Sequence, residues 1–103
     1  MKLLIDIKIN PANPLPAERA AANMSNFTSL IREQMASGEL EAAYNIVPQH
    51  GFMIANVPTV DAAWQLLMRY QIYPHWLIEM TPLVDPVVLA ESGFAAGQAR
   101  RNA

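Results

Sequence analysis

Phe52-Met53-Ile54-Ala55-Asn56-Val57-Pro58-Thr59-Val60-Asp61-Ala62-Ala63-Trp64 is the stretch that decides the fold. Up to Val57 it is a short apolar run of strand length, preceded by the turn signal Pro48-Gln49-His50-Gly51. Pro58-Thr59-Val60-Asp61 then opens a helix, with Thr59 as the cap and Asp61 in the first turn, where a negative charge suits the helix dipole. Val60, Ala63, Trp64, Leu67 and Met68 recur at helical spacing and mark its apolar face. A strand therefore hands the chain to a helix, and Pro74 breaks regular structure after it.

Outward from this junction the same punctuation repeats. Trp76, Ile78 and Met80 alternate with His75, Leu77, Glu79 and Thr81, which predicts a fourth strand. Upstream, Leu40 to Val47 reads as the second strand. Before it, Gly38 stops a helix predicted from about Pro16 to Ala36, whose apolar stripe is Ala17, Ala20, Met24, Phe27, Ile31 and Met35. Pro11, Pro14 and Pro16 separate that helix from the first strand, in which Leu3, Ile5, Ile7 and Ile9 alternate with Leu4, Asp6 and Lys8. Asp85-Pro86 predicts a short helical turn through Ala90. Residues 93–103 are small, polar and weakly patterned, and read as a flexible or partner-docked tail to a single domain over 1–92.

The order is β-α-β-β-α-β, an α+β, ferredoxin-like arrangement. Right-handed crossovers place both helices on one face of a four-stranded antiparallel sheet. The other face, carrying Leu4, Asp6 and Lys8, is too apolar to stay wet, so two sheets are expected to pack face to face as a dimeric α/β barrel, a homodimer or a larger homo-oligomer.

Composition excludes several classes. The 103 residues are 52% apolar and 16% charged, which rules out a disordered chain. Seven basic against nine acidic residues give a net charge of -2, without the basic patch that nucleic-acid binding requires. There is no cysteine, hence no disulfide, thiolate nucleophile or Cys-based metal site. No apolar run approaches the roughly 18 residues of a membrane span, and Asp6 and Lys8 interrupt the first strand, so a cytoplasmic protein without membrane contact is expected.

Val57-Pro58-Thr59-Val60-Asp61-Ala62, then Leu67-Met68, Ile72-Tyr73-Pro74 and Ile78-Glu79, resemble the muconolactone isomerase family of dimeric α/β-barrel proteins. That family has a valine-proline-serine/threonine start to the second helix, a leucine-methionine pair, a leucine-phenylalanine-proline corner and an isoleucine-glutamate in the last strand. The resemblance covers about two-thirds of the chain if Gly38 is aligned with the glycine ending the family's first helix. It implies an oligomer whose subunits complete each other's pockets. It also implies cofactor-independent proton transfer on a small unsaturated lactone or aromatic-derived acid. Such chemistry needs a base of suitable pKa and a donor for the enolate oxygen. Phe27 stands where the family carries a glutamate on the first helix. Near Gln49 to Gly51 neither of the family's tyrosine and asparagine is present.

The residues themselves offer other candidates. His50 reads either as a pocket acid or base, the role an imidazole can fill, or as an exposed turn histidine. His75 and Glu79 lie four apart on one strand, hence on one face. They either flank a site or leave Glu79 to pair with Lys8 or Arg69. Asn23 and Asn26, one turn apart, suit holding a ligand oxygen, with Gln49 near the family's polar positions. Phe27, Tyr44, Trp64, Tyr73 and Trp76 would wall a pocket for a ring-shaped small-molecule ligand, with Phe27, Tyr44 and Trp76 as its binding residues, or else serve as plain core. Asp6 and Lys8, if buried, have to be paired. No HxxxH or HExxH spacing exists, so neither metal nor other cofactor is expected. The catalytic reading is an isomerase-like use of His50, Glu79 and His75. The alternatives on the same scaffold are a non-catalytic small-molecule-binding or assembly protein and a cofactor-free oxygenase or cyclase.

Overall fold

The computed structural model describes residues 1–47 and 50–101. Seven elements follow in order: β1 (Lys2–Ile9), α1 (Ala17–Ser37), β2 (Leu40–Val47), β3 (His50–Asn56), α2 (Val60–Met68), β4 (Trp76–Leu83) and α3 (Pro86–Arg101). The four strands form one antiparallel sheet in the order β2-β3-β1-β4, which is the ferredoxin-like topology. Leu3, Ile5 and Ile7 of β1, with Met53 and Ala55 of β3, are buried on one face beneath Leu30 of α1 and Ala63, Leu66 and Leu67 of α2. Trp76, Ile78 and Met80 of β4 pack at the edge of that core. Both α1 and α2 therefore cover the same face, and the period-two reading of β1 and β4 is met.

The helix ends follow their predicted chemistry. Thr59 Oγ1 accepts from the backbone N–H of Ala62 at 3.1 Å, capping α2. Gly38 takes φ +83°, the left-handed conformation that closes α1, and its N–H reaches the Met35 carbonyl.

Both helices are rotated from the faces read in the sequence. Met24 is 64% exposed and Met35 42%, and Ala17 and Ala20 are exposed, whereas Leu30 and Gln34 are buried and Asn23, Asn26, Phe27 and Ile31 are half-buried. Polar side chains occupy the inner face because α2 supplies their partners. Asn23 Nδ2 donates to the Tyr70 carbonyl at 3.4 Å, and Asn26 Nδ2 to those of Arg69 and Tyr70 at 3.3 and 3.4 Å. These carbonyls lie just past the end of α2, where helical partners run out. Tyr70, fully buried, donates its hydroxyl to Gln34 Oε1, and burial pushes the phenol pKa above its ordinary value. In α2 the buried residues are Ala63, Leu66 and Leu67, with Val60, Trp64 and Met68 turned outward.

Two further expectations need correction. His50 and Gly51 belong to β3 and not to a turn, because both pair with neighbouring strands. The short turn after Asp85 is a third helix of 16 residues through Arg101. Asp85 Oδ1 caps it by accepting from the Val87 N–H at 2.7 Å. Residues 86–93 are all exposed, and the chain measures 65 × 31 × 24 Å, longer than a packed domain of this length requires.

The Gln34–Tyr70 pair yields a stability test. Tyr70→Phe leaves the Gln34 oxygen buried without a partner and is expected to lower unfolding free energy by about 1–3 kcal/mol. Adding Gln34→Leu should recover part of that loss, because both buried polar groups are then gone. Strictly additive losses in urea unfolding of the two single variants and the double variant would refute the coupling.

Candidate functional site

Twelve residues line a half-open cavity of about 270 Å³ between α1 and the β2-β3 side of the sheet. Its apolar wall starts from Phe27 and Ile31 of α1, Ile7 of β1, Ala43 of β2, Met53 of β3 and Trp76 of β4. Phe27 and Trp76 lie nearly parallel, 13° apart with centroids at 6.4 Å, and Phe27 also tilts against Tyr70 at 5.1 Å. Such offset aromatic contacts hold the rings in place and leave flat apolar faces beside the empty volume.

The position of α1 creates this space. Its Asn23, Asn26 and Gln34 are tied to the residues that end α2. Residues at about 100° intervals then run round the helix, from those anchors through Phe27 and Ile31 on the sheet to Thr28 and Arg32 over β2. Thr28, Arg32 and Asn45 are the polar side chains on the lining that face this flank. Gly51 makes room for Asn45: a Cβ added at Gly51 would stand 2.7 Å from Asn45 Oδ1 and 3.1 Å from the Tyr44 carbonyl. Tyr44 and Phe52 also border the cavity, although their register pairs them on the outer face, rings 5.7 Å apart.

The sequence candidates separate into different places. Phe27, Tyr44 and Trp76 border the cavity, whereas Trp64 and Tyr73, expected as part of the same wall, are exposed and outside its lining. Asn23 and Asn26 do hold carbonyl oxygens, but those of the protein's own backbone. Gln49 lies outside the described residues. His50 is on the outer sheet face, where its Nε2 meets both oxygens of Asp6 at 2.9 and 3.0 Å. Asp6 therefore has its partner, in His50, and stands opposite Glu79 across the β1-β4 ladder. Glu79 is exposed, while Arg69, expected as one of its partners, pairs with Glu33 at 2.7 Å. His75 is tied elsewhere, its Nδ1 at 3.0 Å from the Asn13 carbonyl and its own carbonyl accepting from the Asn10 N–H. The structure thus brings His50, Asp6 and Glu79 onto one face and leaves His75 against the loop before α1.

Thr28, Arg32 and Asn45 do not stand out in the sequence. A signal existed for Arg32, one turn beyond Thr28 on the same helix and one residue after the apolar Ile31. Placing Asn45 beside them required knowing where α1 crosses β2. Among the described residues the cavity lining contains no carboxylate and no imidazole. Nor do three acidic or imidazole groups gather anywhere among them as a metal site, and no described helix is long and apolar enough to cross a membrane.

No family model matches this chain, and no curated protein does. Among solved structures the chain is similar to muconolactone isomerase, known from a crystal structure at 3.3 Å resolution. The two share a TM-score of 0.71 over 84% of this chain and 92% of that one, at 18% sequence identity. The chain has the muconolactone isomerase-like, ferredoxin-like fold.

The Asn45–Gly51 contact can be tested. Gly51→Ala forces the Asn45 side chain aside and presses on the β2 backbone, an overpacking expected to cost about 1–3 kcal/mol. Asn45→Ala in the same chain should restore part of it, since the carbonyl contact remains. Thermal unfolding of the three variants checks this, and an unchanged Tm for Gly51→Ala would show that the strands yield freely.

Proposed function

We propose that this protein binds a small, largely apolar, ring-shaped molecule in the cavity between α1 and the sheet, and that it does so as a binding protein on an isomerase-like scaffold. The observation that carries this reading is the lining itself. Phe27 and Trp76 offer ring faces, and no described lining residue is a carboxylate or an imidazole that would take a proton from carbon near neutral pH. An apolar cavity with a few polar groups at one side fits ligand binding on general grounds.

A second reading has its own support. The His50–Asp6 pair is an acid-base couple of the kind that holds an imidazole in one tautomer, with Glu79 opposite Asp6. On the outer face it would serve isomerase-like proton transfer only on a ligand bound between that face and whatever covers it. One experiment separates the two. In a Trp64→Phe background, Trp76 fluorescence should respond saturably to benzamide, and Ala43→Phe, which fills the cavity, should abolish the response. Muconolactone in heavy water should show no protein-dependent exchange. Exchange lost in His50→Ala would favour the second reading, and absence of any benzamide response would overturn the first.

Assembly is part of the proposal. The outer face carries Leu4, Phe52 and Ile54 half-buried and Tyr44 and Leu77 exposed around the Asp6–His50 pair. A second copy laid sheet against sheet would cover them, as the resemblance to a dimeric barrel suggests. Exposed Val84, Val87, Val88 and Leu89 offer the same copy another contact. Leu4→Lys, which sets a charge in the middle of that face, is expected to halve the solution mass measured by light scattering. An unchanged mass would contradict the sheet-to-sheet dimer.

A further inference from the structure

We infer that Tyr70, which lies outside the cavity lining, is a positioning residue for the cavity: its ring holds Phe27 beside Trp76, and its hydroxyl bond to Gln34 fixes where that ring stands. The inference rests on the cavity being a ligand site and adds the residue behind its wall that sets the wall's shape.

Three observations converge on it. First, Tyr70 is tied to α1 at both ends. Its hydroxyl donates to Gln34 Oε1, and its carbonyl accepts from Asn23 and Asn26. Burial raises the phenol pKa, so the hydroxyl stays a donor throughout the neutral range. Second, the ring held between those ties reaches the cavity through one side chain. Phe27 stands between Asn23 and Gln34 along α1, tilted by 54° against the Tyr70 ring at 5.1 Å, and is 13° from parallel with Trp76 at 6.4 Å. Tyr70 is fully buried and Phe27 only half-buried, so the mobile ring of the pair takes its angle from the fixed one. Third, stability alone does not ask for the Gln34–Tyr70 pair. Gln34 is fully buried, and its Nε2 has no partner among the described residues. A buried donor left unpaired costs free energy, and leucine at 34 with phenylalanine at 70 would leave none. What the polar pair supplies in return is a defined position, which apolar packing supplies less strictly.

The shape of the lining then depends on a group that no ligand in the cavity touches. With the bond in place, Phe27 and Trp76 present fixed ring faces to the empty volume. Without it, the Tyr70 ring shifts within its packing, and Phe27 follows into or away from the half-open space. The effect falls on ligand affinity more than on the fold, because the core strands and the caps of both helices do not pass through this pair.

The test uses the full chain in a Trp64→Phe background, where Trp76 is the one tryptophan left. Gln34→Leu combined with Tyr70→Phe removes the bond, keeps a ring at position 70 and orphans no buried polar group, so the chain stays folded. This double variant is expected to weaken benzamide binding, measured by titration calorimetry, about fivefold or more, and to flatten the long-wavelength tryptophan band in near-UV circular dichroism. Thr59→Ala removes the cap of α2 without touching Tyr70, and as a destabilised control it should keep the band and hold affinity within about twofold. A double variant that binds benzamide as the wild type does would overturn the positioning role, whatever its band. A control that loses as much as the double variant would overturn it too, because the effect would then be general loosening. Wild-type protein that fails to bind benzamide would overturn the ligand site, and the band would still decide on Tyr70. Flattened in the double variant, it keeps Tyr70 as the support of the Phe27–Trp76 wall; unchanged, it removes that role as well.

Discussion

The position of α1 depends on one polar clamp. Gln34 meets the buried Tyr70 hydroxyl, and Asn23 and Asn26 meet the carbonyls of Arg69 and Tyr70. Buried polar groups of this kind are specific in a way that apolar packing is not, because a misplaced donor or acceptor loses its partner and keeps its desolvation cost. The clamp draws one flank of α1 toward the end of α2. The opposite flank is left standing over β2 and β3, where the small residues Ala43 and Gly51 do not fill the gap. The cavity is thus a consequence of how the two helices are fastened, and its walls are whatever side chains that rotation delivers.

This explains which parts of the molecule could be read in the sequence. Strand alternation is a local property. Leu3, Ile5 and Ile7, and again Trp76, Ile78 and Met80, declare their face without reference to anything else. Caps are local too, so Thr59 and Gly38 were legible. Helix rotation is not local here, because hydrophobicity ranks Met24 and Met35 above Asn23 and Gln34. The partners that make the polar residues inner ones lie more than 35 positions away. The length of α3 was hidden for a related reason: glycines and a weak apolar pattern say little about a helix whose residues 86–93 are all exposed.

The cavity lining was legible only in part of its aromatic half, since Trp64 and Tyr73 were read into it as well. Phe27, Tyr44 and Trp76 could be named because large rings are conspicuous anywhere. Arg32, Thr28 and Asn45 carry no such mark. An arginine on the exposed side of a helix is ordinary, and only the crossing of α1 over β2 brings Arg32 and Asn45 to one rim of the cavity. His50 is the opposite case, a residue conspicuous by chemistry that lies in β3 because the strand begins two residues before the apolar run from Phe52. With β3 starting at His50, Gly51 turns inward and His50 outward, and the parity of a strand allows no compromise.

That parity has a functional consequence. His50 and Gly51 are covalent neighbours, yet one stands beside Asp6 on the outer face and the other beneath Asn45 on the inner one. The sheet lies between them. A ligand seated against Phe27 and Trp76 is on the helix side and has the backbone of β1 and β3 between itself and the imidazole. Proton transfer by His50 and recognition by the cavity therefore cannot serve the same ring at the same moment. If the outer face is chemically active, it acts on a different molecule or on a different occasion. The replacement of an acidic side chain by Phe27 on the resemblance-based alignment belongs to the same logic. At the position where that alignment puts a base on the cavity side stands a ring face, and the described lining keeps no carboxylate in its place.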